Sequence, residues 1–449
     1  MSGEPIADVK SEGGAPRPRA AIAVVVGGGC AGSLAAIGLA DRGYDVVLVE
    51  KGAALPGVCG EGVPQAGHVH LLNKRGLSLL EAHWPTVAAA LADDGDFTRG
   101  DFDDDVIWLG RRLRRLGPTT TKLGSLLFFH RRALDRAFAA VVRATPGIDV
   151  RTDCTVSALL RSTTRVESLT LAPRDGPPQT IELGGARDVV VYATGRFDAG
   201  VWPLLRRSPA VAEVPSRLLY RSVEIEADVG AAAALLVSTL GLVREHGFVA
   251  VSVKQRTGGS TGPRRLLLTQ VAAGFGDGDA DDDVRRFFDR FDDGQPSSPV
   301  AAFAATVRLL SAPQRFRLQG SRRLRSSSLS SLPKNVFVVG DGLASLNPVF
   351  GQGIGMCAET VALLLQHLDS VPDSVPDSAR FARDVEPLVR RAFFIATLED
   401  RLAALAHHRW GRWSRPLLST STALFFAAIE RSALLHRAFT RTVNMLPPW

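Results

Sequence analysis

Long apolar runs are missing from this sequence. No stretch approaches the roughly 20 consecutive apolar residues that a membrane-spanning helix requires, and the nearest one, residues 417–429, is short and interrupted by Ser and Thr. The first 20 residues do not resemble a signal peptide, because Glu4, Asp8 and Glu12 are acidic and Gly and Pro interrupt the segment. We therefore expect a disordered leader over residues 1–20 and a cytoplasmic protein.

Cysteine is also scarce. None of the four cysteines belongs to a CxxC pair, so the sequence indicates a reduced protein without a disulfide framework. His68 and His70 form an HxH pair that could bind a metal ion, but no third ligand follows at a suitable spacing. We predict that the protein has no metal site.

Positive charge is concentrated near the end of the chain. Residues 380–449 contain eleven arginines, no lysine and five acidic residues, which leaves +6 of the total net charge of +7. The periodicity of the segment is helical, with Arg on one side and Leu, Phe and Trp on the other. This basic face is either solvated or meets an anionic membrane, as a peripheral contact, or an acyl carrier protein. No nucleic acid partner is expected.

A strand, a glycine-rich turn, a helix and a second strand open the folded part of the chain. The apolar run 20–26 ends at Gly27, Gly29 and Gly32, which fit GxGxxG, and the next strand ends at Glu50. In a dinucleotide site the first glycine permits the tight turn, the second lets the backbone approach the pyrophosphate, and the third lets the helix pack on the sheet. The helix N-terminus favours phosphate. Glu50 can accept the ribose hydroxyls and would repel a 2′-phosphate, so the unit suits FAD or NAD.

A second glycine-rich turn lies some three hundred residues later. The buried strand VFVV is followed by Gly340-Asp341, and Asn347-Pro348-Val349-Phe350-Gly351-Gln352-Gly353 opens the next helix. The segment 61–68, EGVPQAGH, is the third motif. Together, and in this order, the three motifs resemble the FAD-dependent monooxygenase family, the hydroxylases and epoxidases with the p-hydroxybenzoate hydroxylase and squalene epoxidase-like fold. The resemblance covers about residues 20–370.

The resemblance implies a role for individual residues. Asp341 would bond the ribityl chain of FAD, and the backbone of Gly351, Gln352 and Gly353 would face the pyrimidine edge of the flavin. Pro348 would line the substrate side of the flavin. The implied cofactor-binding set also includes Arg131 at the phosphate or ribityl region, Val156 at the adenine, Gln65 and His68 beside the flavin, and Ala31, Lys51 and Gly195.

The segment at residues 192–199 departs from the family pattern. Relatives read DATGRGSR there, or carry an acidic DG pair, whereas this chain has Tyr192-Ala193-Thr194-Gly195-Arg196-Phe197-Asp198. In relatives the segment contributes to the FAD and nicotinamide sites, so the change puts the reduction step in doubt. No second GxGxxG occurs. NADH or NADPH is therefore expected only as a transient electron donor.

The predicted fold is α/β, with a Rossmann-type FAD-binding domain interleaved with a mainly antiparallel β-sheet substrate domain, plus C-terminal helices. The 449 residues suit two interleaved domains and an appendage. The predicted FAD-binding domain is discontinuous and comprises residues 21–105, 131–215 and 326–375. The predicted substrate-binding sheet domain comprises residues 106–130 and 216–325, and residues 376–449 form the helical region.

The resemblance implies a hydroxylase or epoxidase that acts on a bulky apolar polyketide-like or terpenoid-like intermediate of antibiotic biosynthesis, through a flavin C4a-hydroperoxide. The cofactor carries such chemistry, and no catalytic residue can be named from the sequence. One alternative is a redox-silent, FAD-containing [4+2] cyclase that forms a dialkyldecalin. A second alternative is an isoprenoid reductase.

Overall fold

A computed structural model describes residues 20–58, 67–94, 97–101, 106–109, 112–115, 125–196, 210–228, 236–238, 248–253, 263–273, 305–312, 314–348, 351–372, 375–407, 420, 424–425, 427–429 and 431–446. The helices are distributed along the whole chain and dominate its C-terminal part. They are α1 (Cys30–Ala40), α2 (Lys74–His83), α3 (Pro85–Asp94), α4 (Arg131–Ala144), α5 (Ser326–Leu329), α6 (Gln352–Asp369), α7 (Ser378–His407) and α8 (Ala433–Val443).

A parallel sheet forms the first layer. Its strands are β1 (Ile22–Val26), β2 (Asp45–Val49), β8 (Ile148–Arg151), β12 (Val189–Tyr192) and β19 (Val336–Val338), in the spatial order β19-β12-β1-β2-β8. Strands β12 and β19 are buried along their whole length and β1 along nearly all of it. Valine-rich strands of this kind fit a sheet that is covered on both faces.

Three antiparallel or mainly antiparallel sheets complete the strand architecture. One contains β3 (Val69–Leu72), β7 (Ser125–His130) and β4 (Phe97–Asp101), and another contains β9 (Cys154–Arg161), β10 (Val166–Pro173) and β11 (Gln179–Glu182). The largest is mixed only at the parallel pair β14–β5. Its order is β20 (Ala344–Ser345), β18 (Gln314–Leu324), β13 (Val211–Asp228), β16 (Pro263–Ala273), β15 (Phe248–Val253), β14 (Leu236–Ser238), β5 (Val106–Leu109) and β6 (Arg112–Arg115), with β17 (Arg308–Leu309) paired to β13.

The carboxyl edge of the parallel sheet positions the site. Gly27 follows β1, Glu50 follows β2, Ala193 follows β12, and Gly340 comes two residues after β19. Parallel strands present their carboxyl ends at one edge, and ligands of open α/β sheets bind there. The backbone confirms that these turns meet, since Gly27 N–H donates to Val49 C=O at 2.7 Å and Ala193 N–H donates to Val26 C=O at 2.8 Å.

The predicted fold class is confirmed by the parallel sheet, the mainly antiparallel sheet and the C-terminal helices. The apolar runs at 218–227, 248–255, 266–273 and 336–339 predict strands, and these correspond to β13, β15, β16 and β19 with modest shifts at their ends. Strand β13 is longer than expected, because it begins at Val211 and pairs with β18 before it pairs with β16. The domain limits stay predictions. The acidic segment 279–293 lies outside the described residues.

Among the described residues, no helix combines the length and apolarity that crossing a bilayer requires.

Candidate functional site

The first glycine-rich turn has the geometry that a dinucleotide site needs. Gly27 has φ of +102°, which side chains rarely tolerate, and a Cβ there would lie 2.6 Å from Ala193 O. A Cβ on Gly32 would lie only 1.8 Å from Gly27 O, so this position in α1 must lack a side chain. Gly29, at the N-cap of α1, is different, because no atom lies within 4 Å of its Cβ position. The turn is therefore closed toward the protein and open in front of the helix N-terminus.

The carboxylate of Glu50 is fixed by backbone donors. Gly28 N–H donates to Oε2 at 2.7 Å, and Gly52 N–H donates to Oε1 at 2.9 Å. Each carboxylate oxygen can accept a second hydrogen bond, so both remain able to accept the ribose hydroxyls. Cys154 N–H donates to Glu50 C=O at 3.0 Å. This bond places the start of β9, two residues before Val156, next to Glu50.

A group of charged residues surrounds the turn at Asp341. Burial raises the pKa of the Asp341 carboxyl, and the positive charges of Arg131, Arg196 and Arg322 act in the opposite direction. Arg131 is buried and its Nε donates to Asp135 Oδ1 at 2.8 Å. The structure thus brings Asp341 and Arg131, which lie in distant parts of the sequence, to one place. Ala31 is also there, because a Cβ on Gly340 would lie 2.6 Å from the Ala31 Cβ.

The N-terminal turn of α6 carries buried polar groups without protein partners. Gly351 is the N-cap, with φ of +62°. The side chain of Gln352 is 0% exposed, and among the residues that the structure describes neither its Nε2 nor its Oε1 has a hydrogen-bond partner. Gly353, which follows it, has no atom within 4 Å of its Cβ position. Buried amides are normally paired, so this turn is built to meet a polar ligand.

These features fit FAD. The Cβ positions of Gly29, Gly195 and Gly353 are all open within 4 Å, and they lie on three separate turns. The hydroxyl of Thr194, like the amide of Gln352, is buried and has no hydrogen-bond partner in the described part of the chain. Open backbone at two helix N-termini suits the pyrophosphate and the flavin edge, and the unpaired amide suits a heterocycle with donors and acceptors.

His68 lies against the large, mainly antiparallel sheet, at strands β13 and β18. It is 4% exposed, and its Nδ1 is 2.6 Å from Ser222 Oγ. Its ring contacts those of Tyr220 and Phe316, with centroids 6.0 and 5.9 Å away. Burial lowers the pKa of His68 to about 4, so the ring is neutral near pH 7. His70 Nδ1 is 3.0 Å from His68 O.

Some of the residues predicted for the site are exposed in the structure, and others lie outside the residues that it describes. Lys51 is exposed beside Glu50, and Pro348 is exposed at the end of the turn that leads to α6. Gln65, Phe197 and Asp198 lie outside the described residues. Tyr192, which replaces the acidic residue of relatives, is a buried core residue of β12, where its backbone pairs with Val26 and Val338.

One important residue was missed by the sequence reasoning. Asn347 is fully buried; its N–H donates to Ser321 Oγ at 2.8 Å, its Nδ2 donates to Asp400 Oδ2 at 3.1 Å, and its Oδ1 accepts from Tyr220 Oη at 3.3 Å. Its position directly before Pro348 in the glycine-rich segment could have pointed to Asn347. Its hydrogen-bond partners, however, come from β18, α7 and β13. No spacing in the sequence relates those three elements.

Comparisons with known proteins identify relatives of the N-terminal part of the chain and of its fold. Residues 23–193 match the model of the family described as FAD dependent oxidoreductase. The chain is 25% identical over 456 residues to Protein Rv3254 of Mycobacterium tuberculosis, an alignment that covers 94% of this chain and 89% of that protein.

Similar solved structures are varied in activity. One is p-nitrophenol 4-monooxygenase PnpA from Pseudomonas putida DLL-E4, with a TM-score of 0.62, 16% identity and coverage of 95% of this chain and 98% of that one. Another is the Diels-Alderase PyrE3 of pyrroindomycin biosynthesis, with a TM-score of 0.60, 16% identity and coverage of 95% and 80%. At these identities the likeness shows the fold.

The family match covers the N-terminal part of the chain. Residues 23–193 are similar to the FAD dependent oxidoreductases, and the fold of the chain is like that of p-nitrophenol 4-monooxygenase PnpA. The resemblance that the three motifs indicate is confirmed at this level, and FAD is the cofactor that the family implies.

Proposed function

We propose that the protein is an FAD-dependent monooxygenase, a hydroxylase or epoxidase, that acts on a bulky and largely apolar natural-product intermediate. The observation that carries the proposal is the open turn at the N-terminus of α6. Gly353 leaves space in front of the helix, and Gln352 offers a buried amide without a protein partner. A helix N-terminus stabilises negative charge that develops on a ligand. Negative charge develops on the pyrimidine edge of a flavin when it is reduced.

The substrate side of this turn supports an apolar substrate. Leu218, Tyr220 and Leu318 are buried together on one face of the large sheet, and Phe316 packs against them. His68 joins the same group and is uncharged near pH 7 because its burial lowers its pKa to about 4. When bound and reduced, FAD supplies the activation of O2. This chain's own residues hold an apolar molecule there and keep water away.

The test is whether the flavin takes part in redox chemistry. Oxidised protein mixed with NADH or NADPH without oxygen should lose its yellow absorbance, because a monooxygenase must be reduced before it reacts with O2. Candidate polyketide or terpenoid intermediates should then give a product heavier by one oxygen atom only when air and reductant are both present. A product of unchanged mass, formed under argon by oxidised protein, would contradict the proposal.

A redox-silent [4+2] cyclase is the second candidate. Two features favour it. Tyr192, which is buried in β12, stands where the family pattern implied by the resemblance has an acidic residue. In addition, 95% of the chain aligns with the fold of a Diels-Alderase. A cyclase needs a shaped apolar pocket that holds the diene and dienophile together, and it needs neither O2 nor a reductant. The experiment under argon separates the two candidates.

The electron donor and the natural-product pathway belong to the same proposal. NADH or NADPH would visit the flavin from outside, since the sequence carries a single GxGxxG unit. A polyketide-like or terpenoid-like substrate places the enzyme in antibiotic biosynthesis. Stopped-flow mixing with each nucleotide would identify the donor by the faster loss of flavin absorbance.

A further inference from the structure

Asn73 has a buried side-chain amide, and its role as the N-cap of α2 explains only one of the two polar atoms of that amide. It is the N-cap of α2, and its Oδ1 accepts a hydrogen bond from Gly76 N–H at 2.9 Å. Lys74 N–H, another backbone donor in the first turn of α2, donates to Asn444 Oδ1 at 3.0 Å. Capping therefore accounts for the side-chain carbonyl oxygen of Asn73, but the amino group has no role in the cap.

The amino group of Asn73 has no partner in the part of the chain that the structure describes. The residue is 0% exposed, and its Nδ2 is among the buried polar atoms without a hydrogen bond. A buried donor left unpaired destabilises a protein, and native structures contain few such groups. An N-cap position can be filled equally well by Ser or Asp, which lack this donor.

The location of the amide connects it with the glycine-rich segment 347–353 that opens α6, which is called the flavin turn below. A Cβ on Gly355 would lie 2.7 Å from Asn73 Oδ1 and 3.4 Å from Asn73 Nδ2, so the amide rests on the first turn of α6. Gly355 comes three residues after Gln352, and residues with this spacing share one face of a helix. The amides of Asn73 and Gln352, which come from different helices, therefore adjoin the same helical turn.

The two amides together match one particular edge of a ligand. The pyrimidine ring of isoalloxazine presents two carbonyl oxygens on either side of one N–H group. Asn73 offers a free amino donor, and Gln352 offers a free amino donor and a free carbonyl acceptor. Three unpaired groups on the protein thus correspond to three groups on the flavin.

We propose that Asn73 is a flavin-binding residue, and that its amino group donates to a carbonyl oxygen of the pyrimidine edge while Gln352 binds the neighbouring groups. The proposal rests on FAD occupying the site. It adds a side chain from α2 to a turn for which the motifs imply only backbone contacts. Because the donor faces an oxygen that gains negative charge on reduction, it also stabilises the reduced flavin.

Two substitutions separate the proposed bond from the cap. Asn73→Ser and Asn73→Asp both keep an oxygen that can accept from Gly76 N–H, and both remove the amino donor. We expect the apoprotein to keep the thermal midpoint of the wild type. The FAD dissociation constant, measured by quenching of flavin fluorescence in a titration of the apoprotein, should rise about tenfold or more. The midpoint potential of the bound flavin should fall, more for Asp than for Ser.

Asn444→Asp is the matched control, since it makes the same change at the second amide that caps α2. It should leave the FAD affinity and potential unchanged. An equal loss of affinity in this control would mean that the cap, and not the donor, is responsible. An unchanged affinity and potential in Asn73→Ser would overturn the proposal whatever the Asp variant does. A wild-type protein that binds no FAD would instead overturn the proposed function.

Discussion

At the scale of single residues, two glycines of the first turn differ in what a side chain would meet. At Gly32 a Cβ would collide with the backbone of Gly27, whereas at Gly29 it would meet open space. Gly32 is therefore required by the fold, whereas Gly29 is required only if a ligand binds in front of α1. This difference separates a structural position from a binding position within one motif.

Gly29→Asp should abolish FAD binding without unfolding the protein. Asp is a favoured N-cap residue, and the space around its Cβ is free, so α1 should form as before. The carboxylate would occupy the space in which we expect the pyrophosphate to bind, and its negative charge would repel the phosphate groups. The FAD released on denaturation should fall to background while the circular dichroism spectrum stays the same. Gly184→Asp is a matched control, because Gly184 is exposed and has equally free space; normal flavin content in Gly29→Asp would remove the turn from the site.

His68 makes stability depend on pH in a defined window. Its pKa is about 4 in the folded protein and about 6.5 in an unfolded chain. Between these values the unfolded state binds more protons, so stability is lost as the pH falls from about 6.5 toward 4. From pH 7 to pH 5 the wild type should lose roughly 2 kcal/mol more unfolding free energy than His68→Gln. Urea titrations at both pH values would measure this, and equal losses in the two proteins would contradict it.

Some residues of the candidate site can be predicted from a local sequence motif, and others cannot. Gly27, Gly29, Gly32 and Glu50 could be predicted because one βαβ unit fixes their spacing. Asn73, Ser222 and Asn347 could not, since each acts through a partner from another element. An asparagine before a helix is explained by capping alone, and the sequence carries no sign that its amino group is left unpaired.

At the scale of elements, a buried polar bridge connects the flavin turn with the C-terminal helix α7. Asn347 accepts from Tyr220 of β13 and donates to Asp400 of α7, and all three residues are buried. The next residue along the chain is Pro348. The bridge therefore fixes the start of the flavin turn against two other elements at once.

Exchange of the two side chains tests whether this bridge is direct. Asn347→Asp alone would place two carboxylates side by side in the interior and should lower the unfolding free energy by about 3 kcal/mol. Asp400→Asn alone should lower it by about 1 kcal/mol. In the double variant the amide introduced at position 400 can donate to the carboxylate introduced at position 347, and Tyr220 can still donate, so most of the loss should be recovered. Additive losses in urea unfolding would show that the residues do not interact.

Strands were predictable where burial is continuous and not where it is partial. Strands β1 and β19, which the sequence predicts, are buried runs of apolar residues. Strand β9 is mostly exposed or half-buried and has no clean alternation, and the hairpin that it forms with β10 was not predicted. Partial burial gives a weak period-two signal, and its register is set by partner strands that the local sequence does not name.

At the scale of the whole molecule, exposed apolar side chains gather in the C-terminal region. Of the ten large apolar residues that are exposed among the described residues, six belong to residues 376–449: Phe394, Leu398, Leu424, Phe425, Leu434 and Leu435. Exposed arginines accompany them at positions 390, 401, 431 and 437. Apolar side chains that are flanked by positive charge suit the surface of an anionic membrane, more than they suit an acidic carrier domain, which needs the charge alone.

We therefore expect the protein to float with vesicles that contain anionic lipid and not with neutral ones. Binding should weaken as salt rises, because the Debye length falls from about 10 Å at 0.1 M to about 3 Å at 1 M. Leu434→Glu in α8 should reduce flotation, because it removes apolar contact and adds negative charge. Leu160→Glu is the control, since Leu160 is a similarly exposed leucine on β9, and it should float like the wild type. Equal flotation of the two variants would show that the C-terminal region does not face the membrane. Binding of an acyl carrier protein that Leu434→Glu leaves intact and salt abolishes would assign the arginines to that partner instead.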